Sequence, residues 1–365
     1  VTTPAASASF AAHVNFTAGS APAMIASADM NGDGLTDLVR IRNGEVCYWP
    51  NMGYGKFAPK VTMTFSPYFD EPGLFNPMYL SLTDISGTGA ADLIYVSRSA
   101  CRIWTNLSGN GWSTNPVSFN LPTVEPYSKI AVLDLLGSGT GCIVWSSPLP
   151  QHSNFPLRYI DLMGGQKPFL MNTFSNGMGK KTELSYKSSC QYFLEDRAAQ
   201  KQWATRLPFP VQCLQQTKVS DVLSGTSYTQ SYSYHHGYYD HAEREFRGFG
   251  MVETMDSEAA VAGESDILNQ APVLTKTWFH TGAWTRQGTL LQAYSQEYFP
   301  ISGYNLPEGA YIPNDLGAEE TREAIRCLKG SPLRQEVYAL DGSSLQDKPY
   351  TVTLSSYRVV TVQER

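Results

Sequence analysis

Residues His235 to Glu253 read HHGYYDHAEREFRGFGMVE, with three histidines, four carboxylates and two arginines. Imidazoles and carboxylates are the side chains that bind metals or move protons near neutral pH. His235, His236, Asp240, His241 and Glu243 are therefore candidate ligands or acid–base groups, and they would serve a metal-dependent hydrolase. Their spacing argues against that reading. It fits neither H-E-x-x-H nor a zinc pattern. His236 and His241 stand five apart, off one helical face, and Gly237 disfavours a helix. The competing reading is a structural corner. Glu243, Arg244, Glu245 and Arg247 would pair with one another or with strand ends, and Phe246 and Phe249 would anchor the loop. Gly248 and Gly250 would supply positive φ or close chain approach. His236, Tyr239 and Asp240 complete this signature.

A different chemistry is written in the first half. Ile25 to Val39 reads IASADMNGDGLTDLV, Leu80 to Ile94 reads LSLTDISGTGAADLI, and Ile130 to Val144 reads IAVLDLLGSGTGCIV. The leading aspartates Asp29, Asp84 and Asp134 lie 55 and 50 residues apart. Trp49 matches Trp104, Asn51 matches Asn106, and Phe57 matches Trp112. In the first copy Asp29, Asn31, Asp33, the Leu35 carbonyl and Asp37 alternate along a tight glycine turn. Hard oxygens at that spacing suit Ca²⁺. The second copy keeps Asp84 and Asp92 and is a weaker candidate; the third keeps only Asp134. The alternative is an Asx turn, in which the same carboxylates bind the loop's own N–H groups. There is no glutamate at the EF-hand position and no flanking helix.

These groups must be positioned by a β-protein. Only 16% of the 365 residues are charged, and 21 Tyr, 30 Gly and 22 Pro suit many short strands and turns. The net charge of −6 without a basic cluster excludes a nucleic-acid surface. No apolar run reaches the ~20 residues of a membrane helix, so direct membrane insertion is not expected. Cys47, Cys101, Cys142, Cys190, Cys213 and Cys327 are scattered singly, as small buried apolar residues are, without a disulfide or zinc pattern. Neither a P-loop nor G-x-S-x-G occurs. The repeat period, with several short strands per unit, is propeller-like. Three copies cannot close a propeller, and both ends read as continuing structure, so a longer parent chain is expected. Val1 to Gly19 would then finish a preceding blade. Trp49, Trp104 and Trp145 read as blade core.

The repeat ends near Gly165. This gives two domains, residues 1–165 and 166–365. In the second, strands are expected at Leu184–Tyr186, Val211–Val222, Thr226–Tyr234, Val273–His280, Gln292–Phe299, Leu333–Leu340 and Pro349–Gln363. Tyr192–Ala199 reads as a helical turn. One short helix, Ala318–Leu328, would be capped by Asp315.

DMNGDGLTDLV followed by NMGYGKF resembles the FG-GAP repeat of integrin-like propellers. Five further motifs follow in order: Asn172–Ser189, Arg197–Gln212, HHGYYDHAEREFRGFGMVE, Pro272–Trp284 and Cys327–Ser343. Together they resemble the B component of bacterial ABC-type (Tc) insecticidal toxin complexes, the SpvB/TcdB-like family. The resemblance covers essentially the whole chain. It implies an all-β fold, with a partial FG-GAP-like propeller followed by Rhs/YD-like shell strands. It implies no enzyme, because the family's self-cleaving aspartates belong to the C component. The propeller would dock on and gate the channel-forming A component. The shell would help enclose the toxic C-terminal cargo of the C component. The complex would be assembled in the cytoplasm and secreted. The second-ranked expectation is a free-standing Ca²⁺-dependent FG-GAP adhesion or glycan-binding module.

Overall fold

An apolar strand, a glycine loop and a second apolar strand can close only as an antiparallel pair, and each repeat does so. The computed structural model describes residues 24–97, 100–121, 124, 127–259, 271–284, 287–303 and 309–362. The expected strand at Val1–Gly19 lies outside them. Two units emerge: one runs to Gln166 without Leu136–Gly139, and the other comprises Leu136–Gly139 and the chain from Lys167.

In the first unit, β1 (Met24–Ala28), β2 (Asp37–Arg42), β3 (Glu45–Trp49) and β4 (Val61–Thr62) form one antiparallel sheet. β5 (Leu80–Thr83), β6 (Asp92–Val96), β7 (Ala100–Trp104) and β8 (Val117–Asn120) form a second. β9 (Lys129–Leu133), β10 (Cys142–Ser146) and β11 (Leu157–Asp161) form a third, ordered β11-β10-β9. The repeat extends past the loops: Asn51 bridges Phe57 as Asn106 bridges Trp112. Tyr48, Phe69, Leu93, Tyr95, Trp104 and Trp112 are among the residues of one core, shared by the first two sheets. Ile85, Ile94, Val96, Ile103 and Ile143 belong to another core, shared by the second and third sheets. Trp104 and Trp145 are buried as expected, whereas Trp49 is half-exposed beneath the Arg40 guanidinium. No closed ring of sheets occurs among the described residues.

The second unit is built on an eight-stranded antiparallel sheet. Its members are β12 (Thr173–Ser175), β13 (Lys180–Ser188), β14 (Gln212–Asp221), β15 (Ser227–Asp240), β16 (Glu245–Ala259), β17 (Val273–Phe279), β19 (Pro332–Ala339) and β20 (Thr351–Leu354), in that order. β18 (Ala310–Tyr311) leaves it to pair in parallel with β21 (Tyr357–Arg358). The expected strand to Gln363 is therefore two short ones, and Gln363 itself lies outside the described residues.

Among the described residues three α-helices form where one was expected. Ser188 caps α1 (Ser189–Ala198) through its side chain, turning the expected single turn into a full helix. α2 (Gln287–Ser295) replaces the strand expected at Gln292–Phe299. Leu290 and Tyr294, four apart, are buried on one helical face, and that burial outweighs the polar alternation around Gln292. α3 (Ala318–Arg326) has Glu319 and Glu320 in its first turn, as expected, but Gly317 and not Asp315 is its cap. The Glu320 carboxylate accepts the Gly317 N–H at 2.9 Å, the half of a capping box that needs no side chain on the cap residue. All six cysteines are free; Cys327 is exposed and Cys190 half-buried, against the expectation of six buried thiols.

Arg334 and Glu336 are 1% and 0% exposed and pair at 2.6 Å within β19. Glu336 also accepts the Phe299 N–H at 2.9 Å and the Tyr338 hydroxyl at 2.6 Å. Removing one partner of a buried pair leaves an uncompensated charge. Arg334→Met is expected to lower the unfolding free energy by about 3 kcal/mol in urea denaturation. Arg334→Met combined with Glu336→Gln, which removes the stranded charge and keeps an acceptor for the Phe299 N–H and Tyr338 hydroxyl, is expected to recover part of that loss, and a double variant as unstable as the single one would contradict this.

Candidate functional site

A cavity of about 540 Å³ in the second unit is lined by several charged and polar side chains. Asp196, Trp203, His235, His236, Glu253, Lys276, Trp278 and Glu297 are among its walls. Consecutive side chains on a regular strand point to opposite faces. His235 and His236 nevertheless both reach this cavity, because His236 takes φ +56° and β15 is irregular between Gly237 and Tyr239. Positive φ costs a branched or ring-bearing residue about 1–2 kcal/mol, so the surroundings must hold it there. They do so through close packing. Gly250 lies across the hairpin from His236, and a Cβ at that glycine would sit 2.0 Å from the Tyr294 hydroxyl and 3.1 Å from the His236 Cβ.

Two matching triplets fasten helical segments to the sheet. His235 Nδ1 lies 2.5 Å from Asp196 Oδ2 on α1, and the Trp203 indole N–H donates to the same oxygen at 2.6 Å. His236 Nε2 lies 2.8 Å from Glu297 Oε1, just beyond α2, and the Trp278 indole N–H donates to Glu297 Oε2 at 2.9 Å. Each carboxylate thus meets one imidazole and one indole. Burial pushes the Asp196 carboxyl up, but the His235 and Trp203 hydrogen bonds overcome it and hold it below its ordinary range. Glu297 is likewise raised by burial and lowered further by His236 and Trp278, for a net depression. Lys276 pairs with Glu253 at 3.2 Å.

The remaining signature residues do something else. Tyr239, Asp240, Glu243 and Arg244 surround a hairpin turn between β15 and β16, not a corner, with Arg244 at φ +53°. Asp240 pairs with Arg247 at 3.1 Å and Glu243 with Arg322 at 2.6 Å. Arg247 is buried and also donates to the Gly282 carbonyl at 2.5 Å. His241 is exposed beside Tyr239. Phe246 and Phe249 pack edge to face at 5.6 Å, and Gly248 takes φ +87°. The five candidate hydrolase groups therefore never converge. Asp196, Trp203, Trp278 and Glu297 complete the site instead. Trp203 and Trp278 lie in motifs that the sequence marks, whereas Glu297 lies in the segment misread as a strand.

The aspartate loops close on themselves. Asp29 accepts the Gly32 and Gly34 N–H groups at 2.7 Å each. Asp33 accepts from Leu35 and from the Asn31 amide. Asp37, buried behind the loop, accepts from Met30 and Asn51. Asp84 accepts from Gly87, Thr88 and Gly89, and Asp92 from Ile85 and Asn106. Cys142 takes the place of Asp37 and Asp92 in the third copy. Among the described residues no three His, Cys, Asp or Glu side chains converge as metal ligands.

The insecticide toxin TcdB middle/N-terminal region family matches residues 105–282, and the TcdB middle/C-terminal region family matches residues 323–365. The chain belongs to the TcdB-like family of insecticidal toxin components. It is similar to the solved structure of TcdB2-TccC3-Cdc42, at 32% identity and TM-score 0.83 over 93% of this chain. It is also similar to TcdB2-TccC3 at 32% identity and TM-score 0.82 over 94%. A third similar structure is the Photorhabdus luminescens Tc holotoxin pore, at 31% identity and TM-score 0.82 over 92%. The chain spans about one sixth of the length of these relatives, 16%, 17% and 16% respectively. No curated protein matches the chain.

In this TcdB-like chain the depressed Asp196 and Glu297 carboxyls give acid sensitivity a definite sign. A carboxyl lowered in the folded state contributes stability above its unfolded value and loses it as pH falls through the folded value. The urea midpoint is therefore expected to drop below about pH 4. Asp196→Asn with Glu297→Gln should flatten that limb, and an unchanged slope would remove the pairs from the account.

Proposed function

We propose that this chain is a non-enzymatic part of a toxin-complex subunit. The observation that carries the reading is the match to TcdB2-TccC3 over 94% of the chain. The three repeat sheets are blades of an FG-GAP-like β-propeller that docks on and gates a channel-forming A component. Their support is the recurrence of strand order, loop and trailing bridge. The long strands of the second unit belong to a shell that, with a C component, encloses toxic cargo. An eight-stranded antiparallel sheet with β15 and β16 of 14 and 15 residues suits such a wall. The complex is assembled inside the cell and secreted. The separation of His241, Asp240 and Glu243 from the cavity supports the absence of hydrolase chemistry.

The reading is tested in a full-length TcdB-like subunit that carries this chain as its corresponding segment, coexpressed with its C component. The C-terminal region of the partner is expected to resist added protease. Its digestion while the subunit stays folded would refute the enclosing role.

The D-x-N-x-D-G-x-x-D spacing of the Asp29 loop admits a second reading, a bound Ca²⁺. The hydrogen bonds within the loop support the self-contained turn. Asp33→Ala is accordingly expected to lower Tm equally in calcium and in chelator. A loss confined to calcium would establish the ion, through the linkage of ligand binding to stability.

A further inference from the structure

The Ala204 N–H donates to His236 Nδ1 at 2.9 Å, and His236 Nε2 lies 2.8 Å from Glu297 Oε1. A backbone N–H can only donate, so Nδ1 carries no proton. An ionised carboxylate can only accept, so Nε2 carries one. His236 is thus held from both sides as the neutral Nε2–H tautomer. A second proton can enter only at Nδ1. There it would set N–H against N–H, and the Ala204 contact would break.

His235 behaves oppositely. Its Nδ1 meets Asp196, and its buried Nε2 has no hydrogen-bond partner among the described residues. Glu253 Oε2 lies 4.0 Å away from that nitrogen. A second proton on His235 faces a carboxylate and disturbs no existing bond.

Ala204 belongs to the strap that leaves α1 and forms one wall of the cavity through Gln200, Lys201, Gln202, Trp203 and Ala204. The start of the strap is pinned: Gln200 and Lys201 donate to the Arg197 and Asp196 carbonyls. Beyond that point Trp203 and Thr205 hold on by side chains, to Asp196 and to the Gly237 carbonyl. Among the described residues, the bond from Ala204 to His236 is the only one that the strap's backbone makes between Gln202 and Arg206.

We propose that His236 is a pH-sensitive latch: protonation of its Nδ1 releases Ala204 and loosens the strap over the cavity. The groups facing His236 favour this outcome over loss of the Glu297 bond. Glu297 stands beyond α2, Tyr294 lies on α2 with its ring 5.2 Å away, and Trp203 stands on the strap at 6.4 Å. His235 is its neighbour on β15, ring to ring at 6.5 Å. Farther round the walls are Asp196 and Lys201 at the end of α1, Glu253 on β16 and Lys276 on β17, the last two paired with each other. An imidazolium gains attraction to Glu297 and sets its new Nδ1–H against the Ala204 N–H. The strap is therefore the element that moves.

Hydrogen–deuterium exchange on the full chain, corrected for intrinsic pH dependence, tests the latch. Protection of the Ala204 amide is expected to fall about tenfold between about pH 8 and about pH 5, while the β13 and β14 amides keep theirs. In His236→Gln the Ala204 amide should lose this pH dependence. Equal protection at both pH values in the native chain, or a fall that persists in His236→Gln, overturns the proposal. Nitrogen-15 shifts of His236 in the native chain give a check that needs no variant. They should report an unprotonated Nδ1 at about pH 8, and a proton found on Nδ1 there would overturn it equally.

Discussion

A carboxylate taken out of water must be met by donors, and in this chain that requirement shapes both units. Asp37 and Asp92, 1% and 3% exposed, stand at the start of equivalent strands and each accept two backbone N–H groups. They fix the loop before the strand and the exit of the strand after it. In the second unit the donors are side chains: an imidazole and an indole for Asp196, and another such pair for Glu297, a third of whose side chain remains exposed. Glu336 is met by a guanidinium, a hydroxyl and a backbone N–H. A chain with so few charges uses several of them inside, where one missing partner costs about 1–3 kcal/mol or more.

The difference between the units follows from where donors can be found. A repeat returns to the same local geometry about every 50 residues, so a backbone N–H at a fixed offset serves each copy. That arrangement is written locally and can be read from spacing alone. Asp29 and Asp84, their loops and the Asn51/Asn106 correspondence were legible for this reason. The Asp196 and Glu297 partners are not local: 39 and 61 residues separate them from His235 and His236. The histidines themselves stood out by type, yet nothing near them names the carboxylates they meet. His241, Asp240 and Glu243 looked like company for the histidines only because they are close in sequence. The turn between β15 and β16 sends Asp240 to Arg247 and Glu243 to Arg322 and leaves His241 exposed beside Tyr239.

The misread elements have a related cause. Leu290 and Tyr294 are buried four residues apart, but Leu291, Gln292 and Ala293 lie between them, and a short mixed run carries strand and helix periods at once. Only the packing of α2 against Met251 and Trp278 decides between them. Gly317 could not advertise itself as a cap because its partner is the Glu320 carboxylate, reaching back from the first turn. The glycines of the signature were legible, since positive φ at Gly248 and close approach at Gly250 are things only glycine supplies.

The positive φ of His236 joins the two carboxylate triplets. Without it, His235 and His236 would face opposite sides of the sheet, and only one helical segment could be fastened from this point on β15. With it, two neighbouring residues reach Asp196 and Glu297, 101 positions apart in the chain. The strain is held by five directed contacts to the two imidazoles and their carboxylates and by the Tyr294 hydroxyl beside Gly250. Regular strand geometry would relieve the strain, but it would withdraw one imidazole from its carboxylate and leave a sheltered charge short of a donor. The second loss is the larger of the two, which is why the irregularity at His236 persists inside an otherwise regular hairpin.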